Sequence, residues 1–191
     1  KLRPGAYWLP RTSLLVVENT HNRGGGRVFP LARLRAVTDH ARARGLAVHL
    51  DGARLWNAAA ASGVSLEDFA RTADTVSVCF SKGLGAPVGS ALAGPRDLLE
   101  RALRLRRMLG GAMRQSGVLA AAAVFALEHH RARLAEDHDH AQLLARGLEG
   151  VPGARVDPAR VDTNIVNIEL EGPSAEAVIA RARELGVLIS S

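Results

Sequence analysis

Short apolar runs and helical patterns alternate along the first half of the chain. Three apolar runs, each followed by polar residues or glycine, predict β-strands at 14–17, 47–50 and 75–80. Between them, apolar residues at steps of three and four predict helices at 31–41, 54–62 and 65–71. Strands and helices that alternate at this spacing predict parallel strands joined by crossover helices. This is the α/β class of fold, with a mostly parallel sheet.

The second half is mainly helical and ends in a mixed pattern. It predicts a strand at 88–93, a helix at 96–108, and a helix at 116–134 that continues or restarts through 148. Residues 147–162 are rich in Gly, Pro and charge, which is typical of a linker. A segment at 164–170 that alternates apolar and polar residues, as a half-exposed strand does, a helix at 174–185 and a strand at 187–189 follow.

These patterns predict a division into two domains. Residues 1–148 form part of a main α/β domain, 149–162 a linker, and 163–191 the truncated start of a small α+β domain. The chain opens without a Met and stops just after the last predicted strand, so we expect it to be a piece of a longer protein.

Composition excludes several classes of protein. With 47% hydrophobic and 23% charged residues in 191, the chain is neither a disordered tail nor a fibrous repeat. No apolar run approaches the roughly 20 residues that cross a bilayer, so no membrane association is expected. Cys79 is the single cysteine, which excludes a disulfide framework and favours a reducing compartment, the cytoplasm.

The net charge of +6 is weak evidence for a nucleic-acid partner. Basic residues cluster between Arg96 and Arg114, but no interleaved aromatic residues or reading module accompany them. We expect a solvated face or a phosphate site there. The histidines at 129–130 and within 136–140 are likewise expected on solvated helix faces, and no metal site is expected.

Lys82 and Asp51 carry the clearest chemical signal. Apart from Lys1, Lys82 is the only lysine, and it follows the third strand, as Asp51 follows the second. In a parallel sheet both positions lie at one edge, where ligands bind. Each residue alone also suits a plain surface loop or turn. Together, a carboxylate and an amine are what pyridoxal phosphate requires, and Arg54 could reach the same pocket to bind a carboxylate or the cofactor's phenolic oxygen.

Three blocks of sequence make the pattern more specific. They are HLDGARL at 49–55, CFSKGLGAPVGS at 79–90 and GGAMRQSG at 110–117. In this order and spacing they resemble the low-specificity L-threonine aldolases. The resemblance implies the aspartate-aminotransferase type of fold, in which a three-layer major domain with a mostly parallel sheet, here incomplete, binds pyridoxal phosphate. It also implies retro-aldol cleavage of threonine or allo-threonine to glycine and acetaldehyde.

The resemblance also implies roles for individual residues. Lys82 matches the lysine that holds the cofactor as a Schiff base, and Asp51 matches the partner of the pyridine nitrogen. Arg54 matches an arginine that faces the cofactor and the substrate carboxylate. Arg114 matches a basic position near the cofactor phosphate or a subunit interface. A homo-oligomer, either a dimer or a tetramer, with shared sites is implied as well.

The chain departs from the family pattern in two respects. Trp8 stands where the family commonly has a histidine, so a related lyase that acts on another β-hydroxy amino acid, such as phenylserine, is an alternative. The family's upstream phosphate-binding loop and its downstream substrate-binding arginine have no match here, so a truncated, inactive homologue is another. Lys82 and Asp51 argue against the second alternative. The isolated segment is expected to bind the cofactor poorly.

Overall fold

A four-stranded sheet forms the centre of the computed structural model, which describes residues 6–190. Its strands are β1 (Leu14–Glu18), β2 (Ala47–Gly52), β3 (Thr75–Cys79) and β4 (Ser90–Ala93), in that order across the sheet. The pairs β1–β2 and β2–β3 are parallel, as predicted. β4 pairs antiparallel with β3, because the tight turn between them is too short for a crossover connection.

Three helices cover one face of this sheet. They are α1 (Leu31–Arg42), α2 (Leu55–Ser62) and α3 (Leu66–Ala70). Side chains alternate between the two faces of a strand, so Leu50 and Val76 point towards these helices and form a buried cluster with Leu34, Leu55 and Phe69. This cluster is the main core, and it confirms the predicted crossover helices.

The other face of the sheet carries a different set of side chains. Leu14 and Val16 of β1 are 50% and 55% exposed there, and His49 and Asp51 of β2 share that face. The described residues therefore provide the sheet and one helix layer of the predicted three-layer domain. The second face, with Asp51 on it, stays partly open.

The helical second half contains α4 (Arg96–Met108), α5 (Gly117–His129) and α6 (Leu134–Leu148). A 3-10 turn over Arg131–Arg133 separates the last two, so the predicted helix from 116 restarts rather than continues. α6 packs against α2, which connects it to the sheet. In the part of the chain that the structure describes, no helix has both the length and the apolar character to span a membrane.

The C-terminal residues form a small antiparallel ribbon and a helix. β5 (Ala154–Arg155) pairs with β6 (Glu169–Leu170), and α7 (Ala175–Glu184) follows. The segment predicted as a linker therefore contains β5, and the strand predicted at 164–170 is reduced to its last two residues. The predicted strand at 187–189 is wrong: no strand pairs with it within residues 6–190, and the Val187 N–H instead closes the end of α7 on the Ala182 carbonyl at 2.8 Å. The division at 148 and 162 remains a prediction.

Candidate cofactor site

Asp51 is the last residue but one of β2, just before the chain bends into α2. The strand extends to Gly52, so Asp51 is within the strand and not, as predicted, just after it. Its Oδ1 accepts a hydrogen bond from the Ala53 N–H at 3.0 Å, which fixes the bend. The described residues place no donor on Oδ2, and the side chain is half-buried. One carboxylate oxygen is therefore available to a ligand at the carboxyl edge of the sheet.

Arg54 follows at the same corner. It is the residue before the first turn of α2, with non-helical backbone angles, and its carbonyl accepts the first helical hydrogen bond from the Ala58 N–H at 3.1 Å. Some arginines of the chain are paired, as Arg27 is with Asp162 at 2.8 Å. No carboxylate of residues 6–190 forms an ion pair with Arg54, and its side chain is half-buried. Its guanidinium therefore has no carboxylate partner among the described residues, three positions after Asp51.

Lys82 lies in the turn that joins β3 to β4, and its side chain is exposed. The Gly85 N–H donates to the Lys82 carbonyl at 2.8 Å, and the Ala86 N–H donates to the Phe80 carbonyl at 3.0 Å. Gly85 has φ of +74°, a conformation that favours glycine. Because β3 is the parallel neighbour of β2, Lys82 and Asp51 reach the same edge of the sheet, as predicted. We call residues 80–86 the lysine turn.

Helix α2 supports the lysine turn as well as Asp51. Trp56 donates its Nε1–H to the Cys79 carbonyl at 3.0 Å, directly before the turn. A Cβ on Gly83 would come within 2.8 Å of Leu134 Cδ2 and 3.4 Å of Asn57 Oδ1. The turn therefore lies directly against the first turn of α2 and the start of α6, and only glycine fits at position 83 without a shift.

Two histidines that were expected on solvated helix faces are part of this support, so that expectation is wrong for them. His138 is 9% exposed, and its Nε2 lies 3.1 Å from Nδ2 of the buried Asn57. Burial lowers the pKa of His138. His130 Nδ1 lies 2.7 Å from the carbonyl oxygen of Leu84 in the lysine turn. Sequence patterns gave no signal for either contact, because each partner is 46 or more residues away.

Arg114 takes no part in the hydrogen bonds around Asp51, Arg54 and the lysine turn. It lies in the exposed turn between α4 and α5, and it forms neither a hydrogen bond nor an ion pair with other residues of the 6–190 range. Its place near the cofactor phosphate therefore stays a prediction. Within the same range no three His, Cys, Asp or Glu side chains come together as a metal site.

Known structures define the class of fold. The chain matches a candidate L-allo-threonine aldolase from Listeria monocytogenes with a TM-score of 0.83 and 27% identity, over 97% of this chain and 52% of that one. It matches threonine aldolase from Leishmania major with a TM-score of 0.65 and 28% identity, over 75% and 42% of the two chains. The fold is that of the aspartate-aminotransferase type, as predicted.

Comparison of sequences identifies the family. Residues 1–171 match the model of the beta-eliminating lyases, and the chain belongs to that family. It is 43% identical over 188 residues to low-specificity L-threonine aldolase 1 of Arabidopsis thaliana, and 44% identical over 191 residues to low specificity L-threonine aldolase of Escherichia coli K12. These alignments cover 97% and 100% of the chain but 52% and 56% of the relatives. The chain thus spans about half of their length, and the resemblance seen in the sequence is confirmed.

Proposed function

We propose that the protein is a pyridoxal-phosphate-dependent aldehyde-lyase that cleaves threonine or allo-threonine between Cα and Cβ, giving glycine and acetaldehyde. The observation that carries the proposal is that Asp51, in β2, and Lys82, in the turn after the parallel neighbour β3, reach the same edge of the sheet. The names of the relatives, which are 43% and 44% identical, support the choice of reaction. An amino acid is the corresponding substrate.

The residues at this edge fit such a cofactor. Asp51 has a carboxylate oxygen without a donor from the described residues, Lys82 has an exposed amine, and Arg54 has a guanidinium without a carboxylate partner in the same range. A cationic ring nitrogen, an aldehyde and a carboxylate are the complements of these three groups.

Each residue has a distinct task in the proposed reaction. When bound, pyridoxal phosphate supplies a conjugated ring that withdraws the electron pair left on Cα as the Cα–Cβ bond breaks. Lys82 supplies the amine that attaches the cofactor aldehyde to the protein. Asp51 keeps a proton on the ring nitrogen by pairing with it, and Arg54 orients the substrate through its carboxylate. Arg114 is proposed to bind the cofactor phosphate.

Absorption spectroscopy tests the cofactor and the role of Lys82 together. The full-length protein, purified with pyridoxal phosphate, should show a band near the visible edge that disappears on borohydride treatment. Lys82→Ala should lack this band and should release no acetaldehyde from threonine. A wild-type protein without the band would refute the proposal and leave an inactive homologue as the better reading.

The alternative substrate is another β-hydroxy amino acid, such as phenylserine, because Trp8 stands where the family commonly has a histidine. Trp8 is 70% exposed and stacks edge-on against Tyr7 with ring centroids 4.9 Å apart, so an aromatic surface is available near the N-terminal end of the described residues. Cleavage rates for threonine, allo-threonine and phenylserine should be compared in wild type and Trp8→His. Phenylserine as the best wild-type substrate, with the preference lost in the variant, would favour the alternative.

A homo-oligomer, dimer or tetramer, is proposed from the apolar surface of the helical second half. α4 buries none of its residues, yet Leu103, Leu105 and Met108 are 56%, 53% and 69% exposed, and Val118 at the start of α5 is 81% exposed. Large apolar side chains exposed in this number on one helix and the start of the next are often covered by a partner subunit. Sedimentation of the full-length protein and of Leu105→Glu tests this, and a monomeric wild type would refute it.

A cytoplasmic location is also proposed. It is supported by the single cysteine, Cys79, which is free in the structure. Fractionation of cells that express the full-length protein tests it, and recovery outside the cytoplasmic fraction would refute it.

A further inference from the structure

The position of the Lys82 amine depends on the backbone of the lysine turn. The Lys82 side chain is exposed, so packing does not fix it, and only its Cα anchors it. That Cα is set by the Gly85 N–H, which bonds to the Lys82 carbonyl, and by Leu84, which is 1% exposed. Whatever holds residues 84 and 85 therefore holds the origin of the lysine side chain.

His130 is the side chain that holds this part of the turn. Its Nδ1 lies 2.7 Å from the Leu84 carbonyl oxygen, and a carbonyl only accepts, so Nδ1 carries the proton and donates. Phe125 lies edge-on to the imidazole with ring centroids 5.5 Å apart, which restricts its rotation. His130 itself is fixed at the end of α5, where its N–H donates to the Ala126 carbonyl at 2.9 Å.

We infer that His130 is a positioning residue for Lys82: its Nδ1–H holds the Leu84 carbonyl and thereby sets where the Lys82 amine meets the cofactor aldehyde. The inference rests on the proposed function, because it takes Lys82 as the amine that attaches the cofactor. His130 touches neither the reacting atoms nor Lys82 itself. Its effect passes through the backbone of residues 82–85.

The chain offers a conservative variant and a matched control. His130→Ala removes the donor, whereas His130→Asn keeps an amide N–H near the place of Nδ1. His129→Ala is the matched control. His129 is exposed, and the centroid of its ring lies 4.3 Å from that of Phe125, but it forms no hydrogen bond with the lysine turn. All variants are made in the full-length protein and compared at a temperature at which their circular dichroism shows them folded.

Two readouts distinguish the positioning role from the proposed function. The first is the fraction of Lys82 that carries reduced pyridoxal phosphate after borohydride treatment, measured by peptide mass as the cofactor is titrated. His130→Ala should need about tenfold more cofactor for half-labelling, because one hydrogen bond is lost, while His130→Asn and His129→Ala stay near wild type. The second is hydrogen exchange of the Gly85 and Ala86 amides without cofactor, which should accelerate only in His130→Ala.

Different results would overturn the positioning role of His130 and the proposed function on which it rests. Equal exchange in all four proteins, or an Asn variant that behaves like the Ala variant in both readouts, would overturn the positioning role. Faster exchange in His130→Ala with unchanged half-labelling would also overturn it, because the held backbone would then not govern the amine. A wild type that never attaches the cofactor at Lys82 would refute the proposed function and, with it, the inference that rests on it.

Discussion

Replacement of His138 by Leu tests the buried contact between α2 and α6. In the structure the Asn57 amide Nδ2 faces His138 Nε2 at 3.1 Å, and an amide nitrogen only donates, so Nε2 accepts and the imidazole is neutral. Asn57 is 1% exposed, so a leucine at 138 leaves its N–H groups without a partner or water. A buried unpaired donor costs about 1–3 kcal/mol, and we expect this loss in the free energy of unfolding at pH 8.

The loss should depend on pH with a definite sign. Burial lowers the pKa of His138 in the folded state below its unfolded value of about 6.5. Between those two pKa values the unfolded chain binds the extra proton, so the stability contributed by neutral His138 is complete above pH about 6.5. It falls as the pH drops through that window towards the folded pKa. Wild type and His138→Leu should therefore differ most at pH 8 and less at pH 5.

Urea unfolding at pH 8 and pH 5 measures both effects. His140→Leu is the matched control, because His140 lies two residues further along α6 and is exposed; we expect it to change the free energy of unfolding by less than about 0.5 kcal/mol. A His138→Leu protein as stable as wild type at pH 8 would refute the stabilising role of the contact. A difference that stays constant or grows towards pH 5 would refute the assignment of a neutral imidazole.

Three further substitutions test other contacts. Asp51→Asn should lower the rate of threonine cleavage by roughly 10- to 100-fold, since a hydrogen bond to a charged group contributes about 1.5–3 kcal/mol; a rate equal to wild type would contradict its pairing with the ring nitrogen. Gly83→Ala should lower the free energy of unfolding by about 1–3 kcal/mol, because the added Cβ meets Leu134 at 2.8 Å, and an unchanged urea midpoint would contradict the tight fit. Asp162→Ala should cost about 1 kcal/mol, because its Oδ2 accepts from the Arg27 side chain at 2.8 Å and from the Val28 N–H at 3.0 Å; thermal unfolding measures this, with Asp139→Ala, at an exposed position of α6, as the control.

The sequence was sufficient to predict that Asp51 and Lys82 reach the same edge of the sheet, although Asp51 lies within β2 and not just after it. Each follows from a local pattern, an apolar strand, together with the general rule that parallel strands end at one edge. The contacts of Asn57 with His138 and of Leu84 with His130 could not be predicted, because they join residues 81 and 46 positions apart. A histidine on a helix gives no local sign of whether its side of the helix will be covered.

For a related reason, β5 was missed and the strand predicted at 164–170 was too long. The alternating pattern at 164–170 is compatible with a long strand, but a ladder forms only where a partner strand is available. In the structure that partner is β5, which supplies just Ala154 and Arg155. Strand length is set by the pairing and not by the pattern alone.

The contacts at the start of α2 constrain the number of residues in the segment 51–56. Asp51 and Arg54 lie at the start of this helix, and Trp56, only two residues further on, holds the end of β3 through the Cys79 carbonyl. An insertion of one residue between Arg54 and Trp56 would rotate the helix face by about 100° and move the indole away from that carbonyl. The number of residues from Asp51 to Trp56 therefore sets how the end of β3, where the lysine turn begins, lies relative to Asp51. A redesign of this corner of the fold must therefore keep the number of residues in the segment 51–56 unchanged.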